Sequence, residues 1–133
     1  MSSLDQIAVS VEGMPNREMV HSILVEIAAL LERYLQNGER GEIDLQTLPL
    51  PPADRTALER ALGQGEVHIQ LKVMGESEIV ETQFPGVWRV THKDREGRAV
   101  ASLIEVTAIP AIVMADATEM ARSVGLLKTT EVE

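Results

Sequence analysis

The side chains able to do chemistry here are three histidines, a group of glutamates, a few serines and one aromatic run containing proline. A metal site needs ligands brought together, commonly two histidines one helical turn apart. His21 falls beside the apolar stripe of a predicted helix, His68 on the polar side of a predicted strand, and His92 near a strand end. No two of them have i, i+4 spacing, so they read as isolated surface or boundary residues, and no metal site is expected. General acid–base work needs a carboxyl whose pKa is raised by burial or by a close like charge. Carboxylates cluster at Glu76, Glu78 and Glu81, with Glu66 nearby, and Glu81 is expected opposite Gln70 with Lys72 and His68 at the diagonals. That describes a solvated, partly balanced surface, and no catalytic residue is assigned. Ser10, Ser22, Ser77, Ser102 and Ser123 lack a nucleophile-elbow context. Gly63-Gln64-Gly65 has no phosphate-binding lysine and leads into a strand, whereas a phosphate cradle opens a helix. Met14, Met19, Met74, Met114 and Met120 are scattered, as core filler would be.

One segment remains, Glu81-Thr82-Gln83-Phe84-Pro85-Gly86-Val87-Trp88-Arg89-Val90. It holds two of the three aromatic residues, Phe84 and Trp88, around the sole Pro-Gly step. Both aromatics can anchor the core while Pro-Gly shapes a bulge. Alternatively, a kink there lifts an aromatic rim that a partner buries, since Trp and Arg dominate interface hot spots. The two readings can coexist, with Phe84 inside and Trp88, Arg89 and Glu81 touching the partner.

Composition narrows the classes further. The chain has no cysteine, which removes disulfides, thiolate catalysis, iron–sulfur ligation and sulfur-bound zinc. Acidic residues outnumber basic ones 21 to 12, a net charge of −9. Such a surface repels phosphate backbones and anionic lipid, so neither nucleic acid nor membrane is an expected partner. The first twenty residues contain Asp5, Glu12, Arg17 and Glu18 and no continuous apolar run, so a signal peptide is not expected and the cytoplasm is the default. The 133 residues, 44% of them hydrophobic, suffice for a single domain, residues 1–133, with a core of Leu, Ile, Val, Ala and Met.

The elements that must position these residues follow from periodicity. Residues 1–15 read as a lead-in, with a strand at Gln6–Val11. A long helix is predicted over 16–38, capped by Asn16 and stopped by Gly38. Val20, Ile23, Leu24, Ile27, Leu30, Leu31, Tyr34 and Leu35 form its apolar stripe. Gly41–Thr47 alternates, and the prolines after it keep the extended segment out of a central sheet. A short helix over 54–63 is expected, capped by Asp54, with Ala57, Leu58, Ala61 and Leu62 inward. A period of two predicts a sheet over 66–107. Its first hairpin turns at Met74–Ser77 and sets Leu71 against Val80, Ile69 against Thr82 and Val67 against Phe84. Parity favours one long second strand bent at Pro85-Gly86, which keeps Val80, Thr82, Phe84, Trp88 and Val90 on one side. Arg98–Thr107 is apolar on both parities, so both its faces should be covered. A helix near Ala115–Val124 and a frayed tail over 125–133 complete the chain. The expected fold is α+β with two layers: an antiparallel sheet of three or four strands, the long helix and one or two shorter helices on one face.

Several strings resemble a known family. They are Gly41-Glu42-Ile43-Asp44-Leu45, Leu48-Pro49-Leu50, Leu62-Gly63-Gln64-Gly65-Glu66-Val67, Glu81-Thr82-Gln83-Phe84-Pro85-Gly86-Val87-Trp88, and Ile104-Glu105-Val106 before Ile109-Pro110. In this order, across about residues 40–112, they resemble the C-terminal conserved region of the HupH/HyaF-type hydrogenase expression proteins. The resemblance implies an accessory, chaperone-like protein in [NiFe] uptake hydrogenase biogenesis. It would bind a hydrogenase subunit, the iron–sulfur small subunit above all, or another maturation protein, and would not be an enzyme or carry a cofactor. Glu66, Glu81, Phe84, Pro85, Gly86, Val87 and Trp88 are the motif positions it offers as partner-binding residues, with Arg89 beside them. Relatives are typically longer, with related halves, whereas this chain has one copy; a homodimer could replace the missing half.

Overall fold

The structure is a computed structural model that describes residues 13–72 and 75–133. The strand expected at Gln6–Val11 lies outside the described residues, as do Val73 and Met74 of the first hairpin.

Helix α1 (Arg17–Asn37) begins where Asn16 accepts a hydrogen bond from Met19 N, and ends at Gly38, whose φ of 76° is left-handed. Its stripe buries Val20, Ile23 and Ile27. Each is worth about 1.5–3 kcal/mol relative to exposure. Leu35, expected in the stripe, is instead 77% exposed. Strand β1 (Gly41–Asp44) follows, then helix α2 (Pro52–Leu62), β2 (His68–Leu71), β3 (Glu76–Glu81), β4 (Val87–Lys93) and β5 (Ala99–Val106). A 3-10 turn (Ala111–Val113) leads to helix α3 (Ala117–Thr129).

The five strands form one antiparallel sheet in the order β1-β5-β4-β3-β2. The α+β class holds, with five strands where three or four were expected: β1 joins as an edge strand, compatible with the prolines after it, and the long second strand is divided in two. On one face Ile43, Val87, Ile104 and Val106 pack against Val20, Ile23 and Ile27 of α1 and Leu58 and Leu62 of α2. On the other, Ile79, Trp88 and Val90 are buried beneath Ile69, Leu71, Leu103 and Val113. Burial on both faces explains two errors in the sequence reading. Adjacent Ile79 and Val80 are both buried, so alternation cannot fix the register there. Leu71 pairs with Ser77 and Ile69 with Ile79, a shift of three residues from the expected pairing, because the chain turns earlier, at Gly75 with φ 130°. The strand expected to run through Pro85-Gly86 is instead two strands, with Glu81 paired to Trp88 and a tight turn between them. A four-residue turn sends Val87 to the helix-covered face and Trp88 to the other, and both find cover.

Three boundaries also differ. Asp54 does not cap its own helix: it sits inside α2, is buried, and accepts Asn16 N at 2.7 Å, tying α2 to the start of α1. The sheet starts at Gly41, not at residue 66. The tail expected from residue 125 is helical to Thr129, since Leu126, Leu127 and Lys128 continue the periodicity past Gly125. Asp94–Gly97 turns β4 into β5, with Asp94 Oδ1 accepting Glu96 N and Arg98 N.

Candidate functional site

The strings Leu62–Val67 and Glu81–Trp88 lie side by side and bond to each other. Gln83 N donates to Leu62 O at 2.8 Å, and Gln83 Nε2 donates to Ala61 O at 2.8 Å. Gly65 N donates to Glu81 O at 2.7 Å, and Glu81 N returns a bond to Val67 O at 2.9 Å. The Glu81 carboxylate accepts Glu66 N at 3.2 Å. The approach is tight enough to exclude a side chain: a Cβ on Gly65 would stand 2.6 Å from both Glu81 Oε1 and Thr82 O. Gly65 is therefore required by crowding, not by its backbone angles.

The β3–β4 turn is wound around Thr82, which is fully buried. Its hydroxyl lies 2.9 Å from Val87 O and accepts Phe84 N at 3.1 Å. Thr82 N reaches Val87 O, and Val87 N reaches Phe84 O. Gly86 has φ 92°, a left-handed value that favours glycine, and a Cβ there would press on Leu31 Cδ1 of α1 at 3.0 Å. Gly86 O accepts Thr107 N, and Thr107 O accepts the Trp88 indole N–H at 3.0 Å. The turn is thus fastened to α1, to the α2–β2 loop and to the end of β5.

This fastening sorts the eight residues singled out from the sequence. Val87 and Trp88 are core, 1% and 6% exposed. Gly86, Glu81 and Arg89 are half-buried; Glu66, Pro85 and Phe84 are exposed, Phe84 by 45%. The exposure of the two aromatics is the reverse of the arrangement with Phe84 inside and Trp88 outside. What the turn presents outward is Gln83-Phe84-Pro85, with Glu66 on the neighbouring loop.

The other candidate groups stay apart. His68 Nε2 meets Glu78 Oε1 at 3.0 Å, His92 Nδ1 meets the Ser77 hydroxyl at 2.7 Å, and His21 is exposed on α1. Among the described residues no three His, Cys, Asp or Glu side chains gather as a metal site would need. Glu105, buried beside Trp88 on β5, lies 3.5 Å from the Arg40 guanidinium. Two concavities flank the motifs. An open, mainly apolar groove of about 1070 Å³ runs between the start of α1 and α2, past Met14, Met19, Pro51 and Pro52. A smaller, shallow and open hollow of about 330 Å³ is lined by Thr56, Glu59, Arg60, Gly63, Gln64 and Arg89. Thr56 and Arg60 were not singled out from the sequence; their i, i+4 spacing on α2 was the available signal.

Residues 19–132 match the family model described as the C-terminal conserved region of the HupH hydrogenase expression protein. The chain belongs to this family. The hydrogenase expression/formation protein HoxQ of Azotobacter vinelandii is 30% identical over 95 residues, 70% of this chain and 34% of its own. HupQ of Azotobacter chroococcum mcd 1, described in the same words, is 36% identical over 93 residues, 66% of this chain and 32% of its own. The chain thus spans about a third of the length of the curated relatives it matches. The solved structure of the hydrogenase expression protein HupH from Thiobacillus denitrificans superposes with a TM-score of 0.79 at 38% identity, covering 82% of this chain and 91% of that one. The interlocked strings of the HupH-type domain all fall inside the matched region.

Proposed function

We propose that this HupH-type domain works in [NiFe] hydrogenase biogenesis as a docking module, gripping a protein client in the cytoplasm without catalysing a reaction or holding a cofactor. The iron–sulfur small subunit is the client proposed, with another maturation protein as the alternative. One observation carries the reading: two loops are hydrogen-bonded into a single rigid unit whose outward product is an aromatic-proline tip, Phe84-Pro85. A rigid exposed aromatic loses little entropy when a partner covers it. Val87, Trp88 and Gly86 then act as the frame, and Phe84, Pro85, Gln83 and Glu66 as the contact. The net charge of −9 argues against nucleic acid and anionic membranes as the client.

The test is capture of a hydrogenase small-subunit precursor by the tagged domain, wild type against Phe84→Ser. The variant should fold, since Phe84 is not part of either core cluster, and should lose most of the captured precursor. Equal capture by wild type and variant would remove the tip from the interface. No capture by the wild type would remove the client.

A homodimer is a second reading, and one feature favours it. Helix α3 buries none of its residues, and Met120, Val124 and Leu127 along one side are each more than half exposed. Light scattering at about tens of micromolar, where a specific contact of ordinary affinity saturates, decides between monomer and dimer.

A further inference from the structure

The hollow between α2 and β4 is bordered by an arginine whose buried Nε has no acceptor. Arg89 stands on the helix-covered face of the sheet, paired with Val80 on one side and Ile104 on the other, in a row of otherwise apolar residues. Its Nε is buried and has no hydrogen-bond partner, and Arg89 forms no ion pair among the described residues. In a chain with 21 acidic residues, a half-buried guanidinium with no carboxylate within 4 Å among the described residues is conspicuous. Removing a charged donor from water without an acceptor is costly, and stable proteins rarely tolerate it unless something else supplies the acceptor. The surroundings point to what that is. Arg60 lines the same hollow, as do the Thr56 hydroxyl and the Gln64 amide, and Glu59 contributes one negative charge. Two arginines against one glutamate leave a single net positive charge, which suits a monoanion better than a dianionic phosphate. Guanidinium groups bind planar carboxylates in a forked geometry. The hollow's volume of about 330 Å³ has room for one side-chain head or chain end.

We propose that Arg89 and Arg60 form a carboxylate-binding socket that receives an acidic side chain or a chain-terminal carboxylate of the protein client. The socket adjoins the motif unit through Gly63 and Gln64, which follow α2 directly, so one partner can cover both it and the Phe84 tip. The identity of the occupant rests on the docking reading above; the anion chemistry of the socket does not.

The experiment follows the side-chain Nε–H signals of ¹⁵N-arginine-labelled protein by NMR during titration with small probes. N-acetyl-glutamate amide carries only a side-chain carboxylate, and N-acetyl-alanine only a chain-end carboxylate. N-acetyl-glutamine amide is the uncharged control, and inorganic phosphate is the rival anion. Saturable shifts of the Arg89 signal with one or both carboxylates, and none with the glutamine probe, are expected; whichever carboxylate acts at lower concentration names the source. Arg60→Gln, on an exposed helix position, should weaken the response several-fold while the fold stays intact. Arg89→Lys should abolish forked binding; if that variant does not fold, Arg60→Gln carries the test alone. No saturable shift at Arg89 with either carboxylate, equal shifts with the glutamine probe, or phosphate binding more tightly than both would each overturn the socket. A failed client capture with an intact titration would reject the client reading and leave the socket standing.

Discussion

Replacing Gly65 by alanine tests whether the two motif strings are held in register by steric contact. The new Cβ would stand 2.6 Å from Glu81 Oε1 and 2.6 Å from Thr82 O, about 0.8 Å inside the 3.4 Å at which ordinary contact begins. The carboxylate can swing aside, but it then gives up Glu66 N, a bond worth about 0.5–1.5 kcal/mol. The Thr82 carbonyl is backbone and moves only with the β3–β4 turn; overpacking of this kind costs about 1–3 kcal/mol. Against this, alanine restricts the unfolded chain and returns about 0.4–1 kcal/mol. The net expectation is a loss of about 1–3 kcal/mol, a fall in Tm of roughly 4–12 °C for a domain of this length. Trp88 is the sole tryptophan and is buried in the core, so its fluorescence reports urea unfolding without labelling. Adding Glu81→Ala should recover only part of the loss, because the overlap with Thr82 O persists. If Gly65→Ala unfolds at the same or higher urea concentration than wild type, the crowding argument is wrong.

Thr82→Val keeps the side-chain shape but strands Phe84 N at the turn; a loss of about 1–3 kcal/mol in urea melts is expected. Tyr34, the sole tyrosine, has its pKa lowered from the ordinary phenol value, first by a backbone hydrogen bond from Ala108 and then by one from the Thr107 side chain. A lowered folded pKa gives stability that is present above the unfolded pKa and is lost as pH falls through the folded value, so this pair adds nothing at neutral pH and helps only in alkali. Tyrosinate absorbance should therefore appear at lower pH in folded than in unfolded protein, and Thr107→Val should narrow the gap. Gly125→Ala in α3 meets nothing within 4 Å. It should add up to about 1 kcal/mol of helix stability, slowing amide exchange in the last turn by up to about fivefold while leaving the urea midpoint of the packed core nearly unchanged.

What the sequence revealed depended on whether a pattern had one explanation or two. Helix α1 was legible because its stripe, its Asn16 cap and its Gly38 stop agree, and only the exposed Leu35 escaped. The sheet's strands were legible as strands, but their pairing was not. Ile79 and Val80, or Val87 and Trp88, are adjacent and both buried, so a period-two argument built on one apolar face chose the wrong register and then carried one strand through Pro85-Gly86. The motif strings were recognised as strings. That they bond to each other, with Gly65 tight against Glu81, is a contact between residues sixteen apart that no local pattern encodes. The Arg89 hollow was hidden for the same reason: its second arginine comes from α2, whose outward residues look like any solvated helix surface. Val87 and Trp88 read equally well as interface or interior, and their burial followed only from the cover supplied by α1, Val113 and the end of β5.

The strand order carries a consequence for synthesis. β2 to β5 form a simple meander, each pairing with its successor, but β1 closes onto β5 across nearly half the chain. The residues that seal the stripe of α1, Ile104 and Val106, are made long after it. On the ribosome, α1 and β1 must therefore wait with oily surface uncovered until β5 has left the exit tunnel. Long-range closure of this kind slows folding and exposes the nascent chain to aggregation, so this domain would itself depend on helpers while it folds.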